Sequence, residues 1–181
     1  MADTLKRTPP RIESRGWLEP LPAATRYSLR GGADARDAAA RAFGVELPTA
    51  ACRAATSPDR AALWLGPDEH LLIAPAADAA AVGGALGAAL AGVAHSLVDI
   101  SHRQVAFAVK GPHAAWLLAS GCPLDLDPAA FPVGMCTRTV FAKAEIVLWR
   151  TATDTFRIEV WRSFADYVAA LLYETAFELP A

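Results

Sequence analysis

The sequence predicts an α+β domain made of two similar β-α-β-β-β-α halves, with mainly antiparallel sheets and helices packed on them. Three observations carry that reading. Strand-like and helix-like segments alternate from Thr25 onward. The order of elements starts again near Leu97. At 181 residues the chain is long enough to bury a core without disulfides and short enough for one domain, since single cores stop growing at roughly 250–300 residues.

The elements follow in order. Residues 1–24 carry Pro9, Pro10, Pro20 and Pro22 and read as an extended N-terminal arm, because proline lacks a donor and disfavours helix before it. Trp17 on this arm needs cover, from its own domain or from a partner. Arg26–Arg30 reads as a strand, Gly31-Gly32 as a turn and Asp34–Phe43 as a helix with Gly44 as its C-cap. Residues 51–56, 61–65 and 69–74 read as three short strands, the last two joined by Gly66-Pro67-Asp68. Val82, Leu86 and Leu90 recur at helical spacing and predict a helix over 77–91. Its glycines, Gly83, Gly84 and Gly87, each cost about 1 kcal/mol against alanine, so it depends on tertiary packing.

The second half repeats the order. Leu97–Ile100 and Val105–Lys110 read as strands, Gly111-Pro112 as a turn, His113–Ser120 as a helix ended by Gly121. Strands follow at 137–142, 145–150 and 155–161. Ser163-Phe164-Ala165-Asp166 has the form of a capping box, and Phe164, Val168, Leu171 and Leu172 give the next helix an apolar face. The halves, 25–94 and 95–178 within one domain spanning 25–181, overlay by pattern. Tyr27–Gly31 lies over Phe107–Gly111, Leu63-Trp64 over Leu148-Trp149, Leu71 over Phe156 and Ile73 over Ile158; Cys52 nearly matches Cys136. A period of about 85 residues exceeds the solenoid range and means two fused half-domains.

Composition excludes several function classes. The 54% hydrophobic content is inflated by 41 alanines. The Ala- and Gly-rich stretch Ala79–Ala94 falls short of the ~20 predominantly apolar residues of a membrane span. A net charge of −2 gives no basic field for nucleic acid. Cys52, Cys122 and Cys136 include no CxxC pair, which argues against a structural zinc and for a reducing compartment. Met1–Arg15 lacks the apolar region of a signal peptide, so the expected location is the cytoplasm.

Candidate chemistry is sparse. Neither GxGxxG nor GxxxxGK[ST] occurs. In Asp99-Ile100-Ser101-His102-Arg103-Gln104, an extended chain points Ser101 and His102 apart, so the polar-turn reading is preferred over a nucleophile–base pair. A Cys–His pair from Cys122 or Cys136 with His102 or His113 is a second, less favoured possibility; His spacing gives no metal site. Asp125 and Asp127 share a side if extended and could work as acid and base, or simply cap a loop before Pro128. Arginine outnumbers lysine 14 to 3, and Arg162 follows Trp161; arginine suits protein interfaces.

The runs Val98–Gln104, Gly111-Pro112-His113-Ala114 and Gly121-Cys122-Pro123-Leu124-Asp125-Leu126 resemble the gamma subunit of heterotetrameric sarcosine oxidase. So do Leu65–Glu69, Phe131–Gly134, Thr137-Arg138-Thr139, Leu148-Trp149-Arg150 and Val160–Ala165. The likeness covers about residues 60–175 well and is weaker before 55. It implies a fold similar to the folate-binding domain of aminomethyltransferases. It also implies a complex that demethylates sarcosine to glycine, passes the one-carbon unit to tetrahydrofolate and carries FAD, FMN and NAD, none assigned to this chain. The expected partners are the large alpha (folate-domain) subunit and the other subunits, with Trp17, His102, Arg103 and Arg162 as interface candidates. No catalytic residue or metal site is expected. In the aminomethyltransferases an aspartate after the Gly-Pro helix works on folate; Asp125 or Asp127 falls there, Asp127 with the better spacing to Gly134. The resulting expectation is an accessory, non-catalytic subunit that stabilises the assembly. The alternative is a stand-alone folate-binding or one-carbon protein using Asp125 or Asp127.

Overall fold

The computed structural model describes residues 16–178, so most of the expected arm, residues 1–15, and the last three residues lie outside the described residues. The elements are β1 Leu18–Pro20, β2 Ala24–Gly31, α1 Ala33–Phe43, β3 Ala54–Thr56, β4 Ala61–Gly66, β5 Glu69–Pro75, α2 Ala79–Ala89 and β6 His95–Asp99. They continue with β7 Gln104–Lys110, α3 Ala114–Ala119, β8 Cys136–Phe141, β9 Ala144–Ala152, β10 Thr155–Trp161 and α4 Ala165–Ala176. A 3-10 turn leads into each long C-terminal helix, Ala76–Asp78 before α2 and Arg162–Phe164 before α4.

All strand pairings are antiparallel. The first sheet runs β3-β4-β5-β2-β6 and the second β1-β7-β10-β9-β8. Each half leads with a short strand that it gives to the other half's sheet. β1 precedes β2 but pairs with β7, setting Leu18 opposite Val109; β6 precedes β7 but pairs with β2, setting Leu97 opposite Leu29. The residue that follows each of these strands repeats the pattern, with Leu21 N–H donating to Ala106 O and Ile100 N–H to Arg26 O. The exchange ties the halves together through backbone bonds.

The layers are helices, sheet, sheet, helices. Leu29, Phe43, Leu72, Val82 and Leu86 fill the space between the first sheet and α1/α2. Phe107, Ile146, Leu148, Phe156, Ile158, Val168 and Leu172 fill it between the second sheet and α3/α4. Ala61, Leu63, Leu71, Ile73, Ile100, Cys136 and Val147 pack where the two sheets meet face to face. At one side the sheets join through an isolated bridge between Arg53 and Met135, flanked by Ala54 N–H to Gly134 O (2.9 Å) and Cys136 N–H to Cys52 O (3.0 Å). Ala54 in β3 and Cys136 in β8 occupy like places, so these two bonds are related by the pseudo-twofold axis, which passes at the bridge.

The register corrects part of the sequence overlay. Tyr27 over Phe107 holds, because Tyr27 opposes Leu72 as Phe107 opposes Ile158. It follows that Leu72, not Ile73, corresponds to Ile158, and His70, not Leu71, to Phe156. Leu71 and Ile73 face the opposite sheet, whereas Phe156 and Ile158 face helices. Leu63 likewise corresponds to Trp149, Trp64 to Arg150, and Ile73 to Glu159. Cys52 and Cys136 are cross-axis neighbours, not equivalents.

The local expectations fare unevenly. Gly44 ends α1 in the left-handed region at φ 77°, its N–H on Ala40 O. Gly83 is required by contact: a Cβ there would lie 2.4 Å from the Tyr27 hydroxyl. The expected capping box at Ser163–Asp166 does not form. α4 starts from Phe164 with no side-chain cap, because the preceding 3-10 turn absorbs Ser163. The strand expected over 51–56 is only Ala54–Thr56, since Cys52 sits at φ 58° in a turn.

Candidate functional site

Charged side chains occupy the polar end of the space between the sheets. Glu159 on β10 accepts from buried Arg26 Nε across the sheets at 2.6 Å and from Arg157 Nε at 2.8 Å. Glu69 on β5 accepts from Arg138 Nη2 on β8 at 2.6 Å and from Arg30 Nη2 at 2.5 Å. The Arg138 hydrogen bond, outweighing burial, holds the Glu69 carboxyl below the usual carboxylate range. Each glutamate is thus clamped between two arginines, one of them from the opposite sheet. Arg157 and Glu159 sit mid-strand among apolar neighbours, where strict alternation assigns polar residues to solvent. Their signal was the same-face pair Arg157 and Glu159 inside Phe156–Trp161.

Glu69, Glu159, Ser28, Gln104, Arg138 and Glu145 line a cleft here. Its cavity volume is about 20 Å³, room for about one water. Gln104 Oε1 is buried in its wall without a hydrogen-bond partner.

At the mouth of the cleft, the structure brings together three of the four predicted interface residues. The Arg103 guanidinium lies over the Trp161 ring, 4.8 Å from its centroid. Arg162 donates from Nε to His102 O at 3.1 Å and from its backbone N–H to Arg103 O at 2.8 Å. The turn that carries His102 and Arg103 is the polar turn expected from sequence: Asp99 Oδ1 accepts from the Ser101 N–H at 2.8 Å and from its hydroxyl at 2.5 Å. Trp17 stands apart. It packs edge-on against Tyr173 at 5.6 Å, against the second core.

Asp125 and Asp127 lie on an exposed loop, each occupied with its own backbone. Asp125 Oδ1 accepts the Asp127 N–H at 2.9 Å, and Asp127 Oδ1 accepts the Ala129 N–H at 2.8 Å. The loop is held from beneath by Arg150, a residue to which sequence reasoning gave no role. Arg150 is 3% exposed and donates to the carbonyls of Leu126, Phe131 and Thr153 while stacking on Phe156. Cys136 donates to Trp64 O, and burial pushes its thiol up to about 12; Cys122 lies 3.9 Å from Thr139 Oγ1. Among the described residues neither cysteine contacts a histidine, and no three potential ligands gather as for a metal. No helix of the described residues is long and apolar enough to cross a membrane.

The fold defines the class first. It superposes on glycine cleavage system aminomethyltransferase T from Bartonella henselae with a TM-score of 0.64 at 17% identity, covering 86% of this chain and 44% of that one. The architecture is therefore the α+β fold found in that protein. The model of the sarcosine oxidase gamma subunit family matches residues 30–178, and the chain belongs to that family. It is 35% identical over 164 residues to the sarcosine oxidase subunit gamma of Arthrobacter sp., covering 89% of this chain and 80% of that one. The structure of heterotetrameric sarcosine oxidase from Corynebacterium sp. U-96, in complex with pyrrole 2-carboxylate, contains a chain that matches with a TM-score of 0.84 at 32% identity. The match covers 91% of this chain and 85% of that one.

Proposed function

We propose that this chain is an accessory, non-catalytic subunit of a cytoplasmic sarcosine oxidase and stabilises the assembly by binding its large alpha, folate-domain subunit. The complex demethylates sarcosine to glycine and passes the one-carbon unit to tetrahydrofolate, with FAD, FMN, NAD and folate held by the partner chains. The observation that carries the reading is the near full-length match to a chain of a heterotetrameric sarcosine oxidase.

The local geometry supports it. The cleft between the sheets has room for about one water and does not fit a pterin, and both candidate aspartates hydrogen-bond within their own loop. The test is co-expression of the other subunits with and without this chain. The expected result is loss of assembled, flavin-loaded enzyme when it is omitted. Equal assembly and turnover without it would overturn the role, and heat on titrating the isolated chain with tetrahydrofolate would favour direct folate binding instead.

A further inference from the structure

Six of the eleven arginines among the described residues are paired with carboxylates; Arg103 and Arg162 are among the five that are not. Arg26, Arg30, Arg36, Arg60, Arg138 and Arg157 all form ion pairs. Arg103 is stacked on Trp161, and the Arg162 side chain meets only the His102 carbonyl. Both guanidiniums are oriented by the protein without being used up. The nearby carboxylate of Asp99 is taken by Ser101.

An apolar stripe adjoins them. Trp161, Phe164 and Tyr167 are 39%, 40% and 39% exposed. They follow one another at three-residue spacing through the 3-10 turn and into α4. That spacing places successive side chains along one line. Trp, Tyr and Arg are the residue types that dominate binding energy at protein interfaces.

We infer that this corner, Arg103 and Arg162 with Trp161, Phe164 and Tyr167, is the surface that docks an acidic segment of the large alpha subunit. The inference rests on the subunit reading above. Two observations choose the occupant. The cleft behind Trp161 has room for about one water, so whatever meets the arginines does so from outside, as a protein surface does and a small ligand does not. The charge that the two unpaired guanidiniums demand is negative, and an aspartate or glutamate in the partner supplies it with the planar geometry that arginine matches.

The test uses the co-expressed complex, with an affinity tag on this chain. Arg103→Glu reverses the free charge at an exposed site, and Trp161→Ala removes the stacking ring. Each is expected to weaken association with the alpha subunit at least about tenfold, and Arg103→Glu is expected to remove much of its salt dependence. Trp116→Ala, at another exposed tryptophan, is expected to leave association unchanged. Circular dichroism and thermal melts of the isolated variants report folding, and Arg103→Lys separates loss of charge from loss of stacking. Wild-type stoichiometry and affinity in both Arg103→Glu and Trp161→Ala overturn the surface assignment while leaving the subunit reading intact. A wild-type chain that brings down no alpha subunit overturns the subunit reading itself, and this surface with it.

Discussion

The two halves share one topology and solve it with different side chains. The first half packs alanines and glycines: α1 buries Ala35, Ala38, Ala39 and Phe43, and α2 buries only Val82 and Leu86. The second half packs phenylalanines and leucines under α4, which buries five residues. Its α3 has six residues where α1 has eleven, and the loop that follows is held by Arg150. All eight large hydrophobics left exposed among the described residues also lie in the second half. Duplication thus supplied a frame, and divergence gave one half the compact filler and the other half the adhesive surface, while both halves contribute the buried charges between the sheets.

The largest test of that contrast is at Ile73 and Glu159, which hold corresponding places. Glu159→Ala leaves Arg26 buried at 1% exposure with its charge unpaired, and removing one partner of a buried pair costs about 3–5 kcal/mol. Ile73→Val at the equivalent place costs about 1 kcal/mol. Glu69 offers an internal control, since its partners Arg30 and Arg138 are 54% and 37% exposed in their side chains, so its pairs are each worth about 1 kcal/mol or less. Urea unfolding of the three variants is the measurement. A Glu159 variant no less stable than the Glu69 one would show that water reaches Arg26 as readily as the surface arginines.

Next is Arg150, which corresponds to Trp64. Arg150→Ala strands the carbonyls of Leu126 and Phe131, each worth about 1–3 kcal/mol when buried without a partner. The expected loss is about 2–4 kcal/mol in denaturant unfolding, with the loop carrying Asp125 and Asp127 becoming the fastest to exchange its amides. Unchanged exchange in that loop would mean that the two Asx turns hold it unaided.

These two sites show what the sequence could and could not convey. The element order, the turns and the restart near Leu97 are local signals, and they were legible. The register of the overlay was not. β4 and β5 are buried on both faces, so Ala61–Leu63 and Leu71–Ala74 read as continuous apolar runs in which period two is lost. A one-residue slip therefore set Leu71 over Phe156, which face opposite sides. The exchange of β1 and β6 is a pairing between distant segments and leaves no local trace. The corner of His102, Arg103 and Arg162 was legible as residue types; only the fold shows that Trp161 brings them to one place.

A smaller effect makes the first half imitate the second. At the places of Tyr27 and Gly83 the second half has Phe107 and Ala169. Gly83→Ala alone drives a methyl to within 2.4 Å of the Tyr27 hydroxyl, and overpacking of that kind costs about 1–3 kcal/mol, more than the ~1 kcal/mol that alanine gains in helix propensity. In Tyr27→Phe the nearest remaining ring atom is 3.5 Å away, an ordinary contact. The double variant is therefore expected to melt above the Gly83→Ala single and above Tyr27→Phe. Additive single effects in the melting curves would show that the ring and the helix do not meet as described.

The smallest effect expected is at His70, which occupies the place of Phe156. Burial keeps its imidazole below the ordinary value of 6.5, outweighing the hydrogen bond to Pro48 O at 2.8 Å that favours the charged form. The sign follows from proton binding. Well above pH 6.5 neither state holds the proton, and His70 contributes no pH dependence. As pH falls below 6.5 the unfolded chain takes up a proton that the folded chain refuses, so stability declines until the folded histidine also titrates. The slope cannot exceed about 1.4 kcal/mol per pH unit for one proton. His70→Gln keeps a donor for Pro48 and removes the titration. The difference in unfolding free energy between wild type and His70→Gln should thus be constant from pH 8 to about 7 and shrink toward pH 5.5. A constant difference over the whole range would mean that His70 accepts its proton in the folded state as easily as in water, as a residue at the surface of the first half would.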